Sequence, residues 1–208
     1  MEFSTVDRNV VILFDQNLTD ELIRLSQSVN EVVRSKILLN HEDQYPHLSL
    51  YITKYPSRNI NEIMRRIRKI AQRNKPFKLW LNARSCHSSG TIFIDAEMSD
   101  ELYSLHERLL TELNPLRGGL YNEDELNLPG MTEKHKQSLI NYGMWAVKED
   151  FVPHVSIGRL YELTDCEAAL KALPKKINLR TEIKTIAFVE TGPNGTCKKV
   201  IETFPFRW

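Results

Sequence analysis

Two short stretches hold the residues best suited to chemistry: Pro46-His47-Leu48-Ser49-Leu50 and Pro153-His154-Val155-Ser156-Ile157. Both read Pro, His, apolar, Ser, apolar. Alternation over so short a run predicts a half-buried strand, and residues two apart on a strand point to one face. Each stretch therefore presents an imidazole beside a hydroxyl. Two such strands facing each other make a pocket with two histidines and two serines. Phosphate chemistry needs those groups: a base, an acid, and donors for the phosphate oxygens. A third match, His87-Ser88-Ser89, lacks apolar neighbours and runs into Gly90, so it reads as a turn.

Other chemistries fit less well. Each His is followed by an apolar residue and Ser, and no H-x-x-x-H or H-E-x-x-H motif offers compact zinc ligands. No G-x-S-x-G elbow makes either serine a nucleophile. The bland alternative is that both histidines only pack.

The duplicated pattern resembles the 2H phosphoesterase superfamily, the relatives of the bacterial 2'-5' RNA ligase and of cyclic phosphodiesterases. That family is defined by two His-x-Thr/Ser-x motifs, one per lobe. An Arg often follows its second motif, and Ile157-Gly158-Arg159 supplies one here. The resemblance follows the order of elements over most of the chain, but only the two motifs match closely. It implies that His47 and His154 share the acid and base roles, that Ser49, Ser156 and Arg159 bind phosphate, and that no metal or other cofactor is required. On strand parity alone Arg159 is out of phase with His154. It reaches the pocket only if the strand twists or ends there.

The expected function is a metal-independent phosphodiesterase, a phosphoric diester hydrolase acting on 2',3'-cyclic phosphates or 2'-5' linkages of nucleotides or RNA. The reaction could also run as a reversible 2'-5' ligation. The alternative is a module of the same fold that binds nucleotides or RNA ends without turnover. Imidazole, with a pKa near 6.5, can serve as acid or base near neutrality. His47, Ser49, Tyr51, Thr53 and Tyr55 share parity, which suggests a polar, aromatic face. Tyr51, ahead of Tyr55 and Trp145, is the expected platform for a base; cross-strand packing is the competing reading for the two tyrosines.

The chain must position these groups with 208 residues, enough for one domain with a stable core. Its 41% hydrophobic and 26% charged residues are those of a soluble globular protein. A net charge of +1 gives no strong field for long nucleic acid, leaving a nucleotide or short RNA as partner. Cys86, Cys166 and Cys197 are odd in number and form no C-x-x-C pair, so they read as reduced thiols. The early apolar run Val10 to Phe14 is too short for a signal peptide or a membrane span. A cytoplasmic monomer with no membrane contact is the expectation.

Apolar patterning predicts a buried strand over Asn9 to Asp15, then a helix from Thr19 to about Val33. The first motif strand runs from His47 to Tyr55, and Ser57 caps a helix over 58–74. Strands follow over 77–83 and 91–97. Ser99 and Asp100 open a helix with Leu102, Leu105, Leu109 and Leu113 on its stripe, and His106 packs beside it. Breaks at Asn114-Pro115, Gly118-Gly119 and Leu128-Pro129-Gly130 mark an insertion at about 114–149: a lid, a specificity loop or a neutral elaboration. It carries a short helix over 132–142 with His135 exposed. The second motif strand spans 153–160. Thr164 or Asp165 caps a short helix, and a long hairpin of 177–191 and 197–206 closes the chain. Motif strand, helix and hairpin thus occur twice. The expected fold is α+β, one bilobal domain over 1–208. Two pseudo-symmetric lobes of antiparallel sheet with outer helices surround a central cleft.

Overall fold

The computed structural model describes residues 4–128 and 130–207. Its elements run β1 (Thr5–Leu13), α1 (Gln16–Val32), β2 (His47–Pro56), α2 (Ile60–Ala71), β3 (Phe77–Cys86), β4 (Thr91–Ala96) and α3 (Asp100–Leu113). After these come α4 (Glu133–Tyr142), β5 (His154–Arg159), α5 (Cys166–Lys171), β6 (Leu179–Ile183), β7 (Thr185–Thr191) and β8 (Cys197–Pro205). Side-chain oxygens set three helix starts by accepting an N–H of the first turn. Asp15 accepts from Leu18 at 3.0 Å, Ser99 from Leu102 at 3.2 Å and Thr132 from His135 at 3.1 Å. Helix α1 therefore begins before Thr19. Helix α4 ends at Gly143, whose φ of 72° suits glycine; a Cβ there would also overlap the Thr53 hydroxyl.

The strands form one antiparallel sheet in the order β6-β3-β4-β5-β2-β1-β7-β8. The motif strands β2 and β5 are its central pair, so each half of the sheet is one lobe built outward from a motif. The halves exchange hairpins. Strands β3 and β4 follow the first motif in sequence, yet β4 pairs with β5. Strands β7 and β8 follow the second motif, yet β7 pairs with β1 beside β2. The single strand expected over 177–191 is in fact two. β6 lies on one edge of the sheet and β7 in the opposite half, and the chain crosses at Lys184 with no Gly or Pro to mark it.

One face of the sheet carries α1, α2 and α3. Val29 of α1, Ile67 of α2 and Leu105 of α3 share one core with Val10, Ile12, Leu48, Ile94 and Val155. On β1 the alternate residues Val11 and Leu13 face the other way. They join Ala187, Val189 and Cys197 in a smaller cluster. That second face holds the motif histidines and serines, as the pairs Leu13–His47 and Val11–Ser49 require.

The expectation of three reduced thiols is corrected for two of them. Cys86 and Cys166 are disulfide-bonded with Cα atoms 5.9 Å apart, tying β3 to α5, while Cys197 is free and buried. The two partners lie 80 residues apart, so no local spacing announces the bond. No helix among the described residues is long and apolar enough to cross a membrane.

Candidate active site

Strands β2 and β5 pair antiparallel through Leu48 and Val155, the residues directly after the two histidines. That register sets His47 across from Ser156 and Ser49 across from His154. The approximate symmetry of the two motifs is thus centred on one residue pair.

Each imidazole is fixed in the same way. His47 Nδ1 lies 2.8 Å from the carbonyl oxygen of Tyr45, and His154 Nδ1 lies 2.8 Å from that of Val152. A carbonyl can only accept, so Nδ1 carries the proton and Nε2 is the nitrogen without that anchor. Burial lowers both pKa values. For His47 the carbonyls of Tyr45 and Gly195 oppose that shift. For His154 the Val152 carbonyl and the Asp95 carboxylate oppose it, while the nearby His47 and His87 add to it. Register explains the difference. The residue opposite His154 is Asp95, and the residue opposite His47 is Leu13.

Both motif strands carry a β-bulge at the equivalent residue. Val11 and Val10 pair with Ser49 and Tyr51, leaving Leu50 extra; Phe93 and Ile92 pair with Ser156 and Gly158, leaving Ile157 extra. A bulge reverses the inward and outward alternation beyond it. Tyr51 and Tyr55 consequently turn into the helix-covered core, where both are fully buried. The Tyr51 hydroxyl donates to the Tyr142 carbonyl at 2.5 Å. The expectation that these tyrosines form the base platform is corrected. The same reversal sends Gly158 toward α1, where an added Cβ would stand 3.4 Å from Val29, and brings Arg159 onto the face of His154 and Ser156.

Ser49 accepts a hydrogen bond from the buried Asn9 Nδ2 at 2.7 Å, which leaves its own O–H to donate. Opposite Ser156 lies Phe93, whose ring stacks on His154 with centroids 3.7 Å apart. From there a row of rings leads outward. His87 lies 5.6 Å from Phe93, Trp145 6.3 Å from His87, and His135 5.2 Å from Trp145. His87 does sit at a turn, but its ring belongs to the wall of the site. Trp145 and His135 come from the insertion, so that segment supplies part of the wall. Arg117 secures it by donating to the carbonyls of Leu120, Ile140 and Asn141.

His106 is the residue whose part sequence reasoning missed. It is fully buried, its Nδ1 lies 2.8 Å from the carbonyl of Leu50, and its Nε2 accepts the N–H of Lys148 at 3.2 Å. Leu50 is the bulged residue of the first motif, and Lys148 has φ 57° in the turn before the second. His106 thus ties the two motifs together. Asn9, Phe93 and Asp95 also escaped notice, because only strand register brings them to the site. Among the described residues, no group of three or more His, Cys, Asp or Glu side chains could hold a metal ion.

The family model of the 2'-5' RNA ligase superfamily matches residues 20–195. Comparison with curated proteins gives no match. Among solved structures, TT0787 of Thermus thermophilus is 18% identical with a TM-score of 0.67, covering 97% of this chain and 98% of its own. E. coli LigT complexed with phosphate is 12% identical with a TM-score of 0.61, covering 98% and 99%. E. coli LigT complexed with 3'-AMP is 13% identical with a TM-score of 0.60, covering 99% and 100%.

Proposed function

The chain belongs to the 2'-5' RNA ligase superfamily, and from that membership we propose that it is a metal-independent phosphodiesterase for 2',3'-cyclic phosphates or 2'-5' linkages of nucleotides or RNA. The observation that carries this reading is the matched anchoring of the two imidazoles on adjacent strands, each held by Nδ1 on the carbonyl two residues earlier. Pure binding has no need of such a pair. The complexes of E. coli LigT with phosphate and with 3'-AMP accord with a nucleotide phosphate as ligand.

In hydrolysis of a cyclic phosphate, His47 Nε2 takes a proton from water as the water oxygen bonds to phosphorus. One ring P–O bond breaks, and His154 gives its Nε2 proton to the departing ribose oxygen. Solvent exchange returns both rings to their starting states. The assignment rests on Asp95, whose carboxylate favours the imidazolium of His154, whereas His47 has only the carbonyls of Tyr45 and Gly195 to favour its own. Ser49 and Ser156 donate to the non-bridging oxygens, and Arg159 offsets their charge. With an RNA hydroxyl in place of water, the same proton transfers make a 2'-5' bond. Trp145, with Phe93 and His87 behind it, offers the base a stacking surface in place of Tyr51 and Tyr55. The insertion carrying Trp145 acts as a specificity loop.

Incubation with a 2',3'-cyclic nucleotide and with a 2'-5' dinucleotide, both in chelator, tests the reading. Product from either supports it. Binding without product would make the protein a nucleotide-binding module, and product only after zinc is added would end the metal-free mechanism.

A further inference from the structure

Beyond Arg159 the site continues onto an exposed rim. Tyr161 is 53% exposed, and two cations lie against its ring: Arg34 Cζ at 5.1 Å and Lys36 Nζ at 5.0 Å from the centroid. The backbone fixes this group to the second motif strand. The Lys36 N–H donates to the Arg159 carbonyl at 2.7 Å, and the Arg159 N–H donates to Ser35 Oγ at 2.8 Å. No carboxylate forms an ion pair with Arg34, Lys36 or Arg159 among the described residues. The basic outer face of α2 differs in this respect. There Arg65 and Arg66 share Glu62, and Arg68 pairs with Glu202.

Two like charges gathered on one ring repel each other. The ring quadrupole attracts both and holds them together, but leaves their charge uncompensated. With a net charge of only +1 the protein has no general attraction for polyanions. The unpaired charge is concentrated beside the catalytic face.

We propose that Arg34 and Lys36, mounted on Tyr161, form a subsite for the phosphate chain of single-stranded RNA whose terminal phosphate lies in the cleft. The proposal deepens the reading of the cleft as a nucleotide phosphodiesterase and rests on it. The strand passes from His154 and Ser156 along Arg159, and its next phosphates relieve the repulsion between the two cations.

The test pairs two probes. One is a 2',3'-cyclic mononucleotide followed by turnover. The other is a short RNA ending in a 3'-phosphate, which offers nothing to cleave, followed by fluorescence anisotropy. The double variant Arg34→Gln with Lys36→Gln should bind the RNA about ten-fold more weakly. Its slope of log affinity against log salt should be shallower by about 1.4, since each phosphate of a single strand that is no longer neutralised removes about 0.7. Tyr161→Leu should weaken RNA binding less, since the cations remain but lose their mount. Mononucleotide turnover should be unchanged in both variants, which also reports an intact fold. Unchanged RNA affinity in the double variant, or a mononucleotide KM that rises with it, would overturn the subsite. So would wild-type protein that binds phosphatidylserine vesicles but not the RNA. If no substrate is turned over while RNA binding still depends on Arg34 and Lys36, the proposed reaction fails and the subsite stands. If cyclic phosphates are hydrolysed while RNA binding ignores the two cations, the reverse holds.

Discussion

His47 and His154 make the same hydrogen bond, each through Nδ1 at 2.8 Å to the carbonyl two residues earlier. In both cases the residue between is a proline, Pro46 or Pro153. Proline fixes its own φ and biases the preceding residue toward extended backbone. The carbonyl of Tyr45 or Val152 is thereby turned back toward the ring. The Pro-His pattern thus selects the tautomer that leaves Nε2 available, and it does so twice on adjacent strands.

General acid and base roles each contribute about 10²- to 10⁴-fold. His47→Ala and His154→Ala should each lower kcat by that factor on a 2',3'-cyclic nucleotide. The double variant should lose less than the product of the two losses, since both groups serve one step. His41→Ala, at an exposed contact with the Asp20 side chain, is the control. His87→Ala is not one, because its ring supports Trp145. It should raise KM modestly and leave kcat nearly intact.

Tyr51 and Trp145 should separate stability from binding. Tyr51→Phe removes a buried hydrogen bond to Tyr142. It should cost about 1–3 kcal/mol in urea unfolding, because the carbonyl loses its partner, with KM unchanged. Trp145→Ala should weaken nucleotide binding about five-fold or more, given about 1–3 kcal/mol for a stacked base, and leave the urea midpoint almost where it was. A raised KM in Tyr51→Phe with normal stability would return Tyr51 to the site.

What the sequence makes legible is local. Pro, His and Ser at fixed offsets announce both motifs, and alternation announces their strands. Asn-Pro, Gly-Gly and Pro-Gly breaks outline the insertion. What it hides depends on pairing. Parity counted from His47 places Tyr51 in the cleft, and the one extra residue at Leu50 reverses it. Parity counted from His154 puts Arg159 out of phase, and the extra residue at Ile157 restores it. Asp95 and Phe93 lie about sixty residues before His154 and Ser156, and only register brings them opposite. Nothing in Ile183-Lys184-Thr185 signals that the chain leaves one lobe for the other.

The Cys86–Cys166 bond closes a long loop, with 80 residues of separation. Such cross-links typically contribute about 2–4 kcal/mol, chiefly by restricting the unfolded chain. Dithiothreitol should therefore lower unfolding stability by about that amount, and Cys86→Ser with Cys166→Ser should reproduce the loss. Cys197 is buried and its thiol is pushed up to about 12. It should resist iodoacetamide in the folded protein at neutral pH and react only on unfolding. Alkylation of Cys86 and Cys166 in protein that has met no reductant would show that the bond is not formed.

Stability should fall in mild acid. Burial lowers the pKa of His47, His106 and His154 in the folded chain. Well above pH of about 6.5 neither state protonates them, and their effect is constant. As pH falls through that value the unfolded chain takes up protons that the folded chain refuses, so the balance moves toward unfolding. His106→Leu should flatten this dependence, because one of the three sites is gone. It should also lower stability at neutral pH by about 1–3 kcal/mol, since the Leu50 carbonyl and Lys148 N–H lose their partner. Thermal melts between pH 5 and 8 measure both effects. A melting temperature that does not change over that range would contradict the lowered pKa values of these rings.

The proposed activity should report His47 and His154 through a different dependence on pH. In the proposed hydrolysis His47 is the base and must be neutral, so kcat/KM rises as pH climbs through its pKa. His154, the proposed acid, must be protonated, so kcat/KM falls as pH climbs through its own. Both values are lowered by burial, which places both limbs of the bell below the ordinary histidine value of about 6.5. Asp95 raises only the second, since it lies opposite His154 and not His47. Asp95→Asn should therefore move the alkaline limb to lower pH and leave the acid limb in place, narrowing the bell and reducing its height. Asp95→Glu should restore part of the shift. If Asp95→Asn moved the acid limb instead, His154 would be the base and His47 the acid, and the direction of proton transfer proposed for hydrolysis would be reversed.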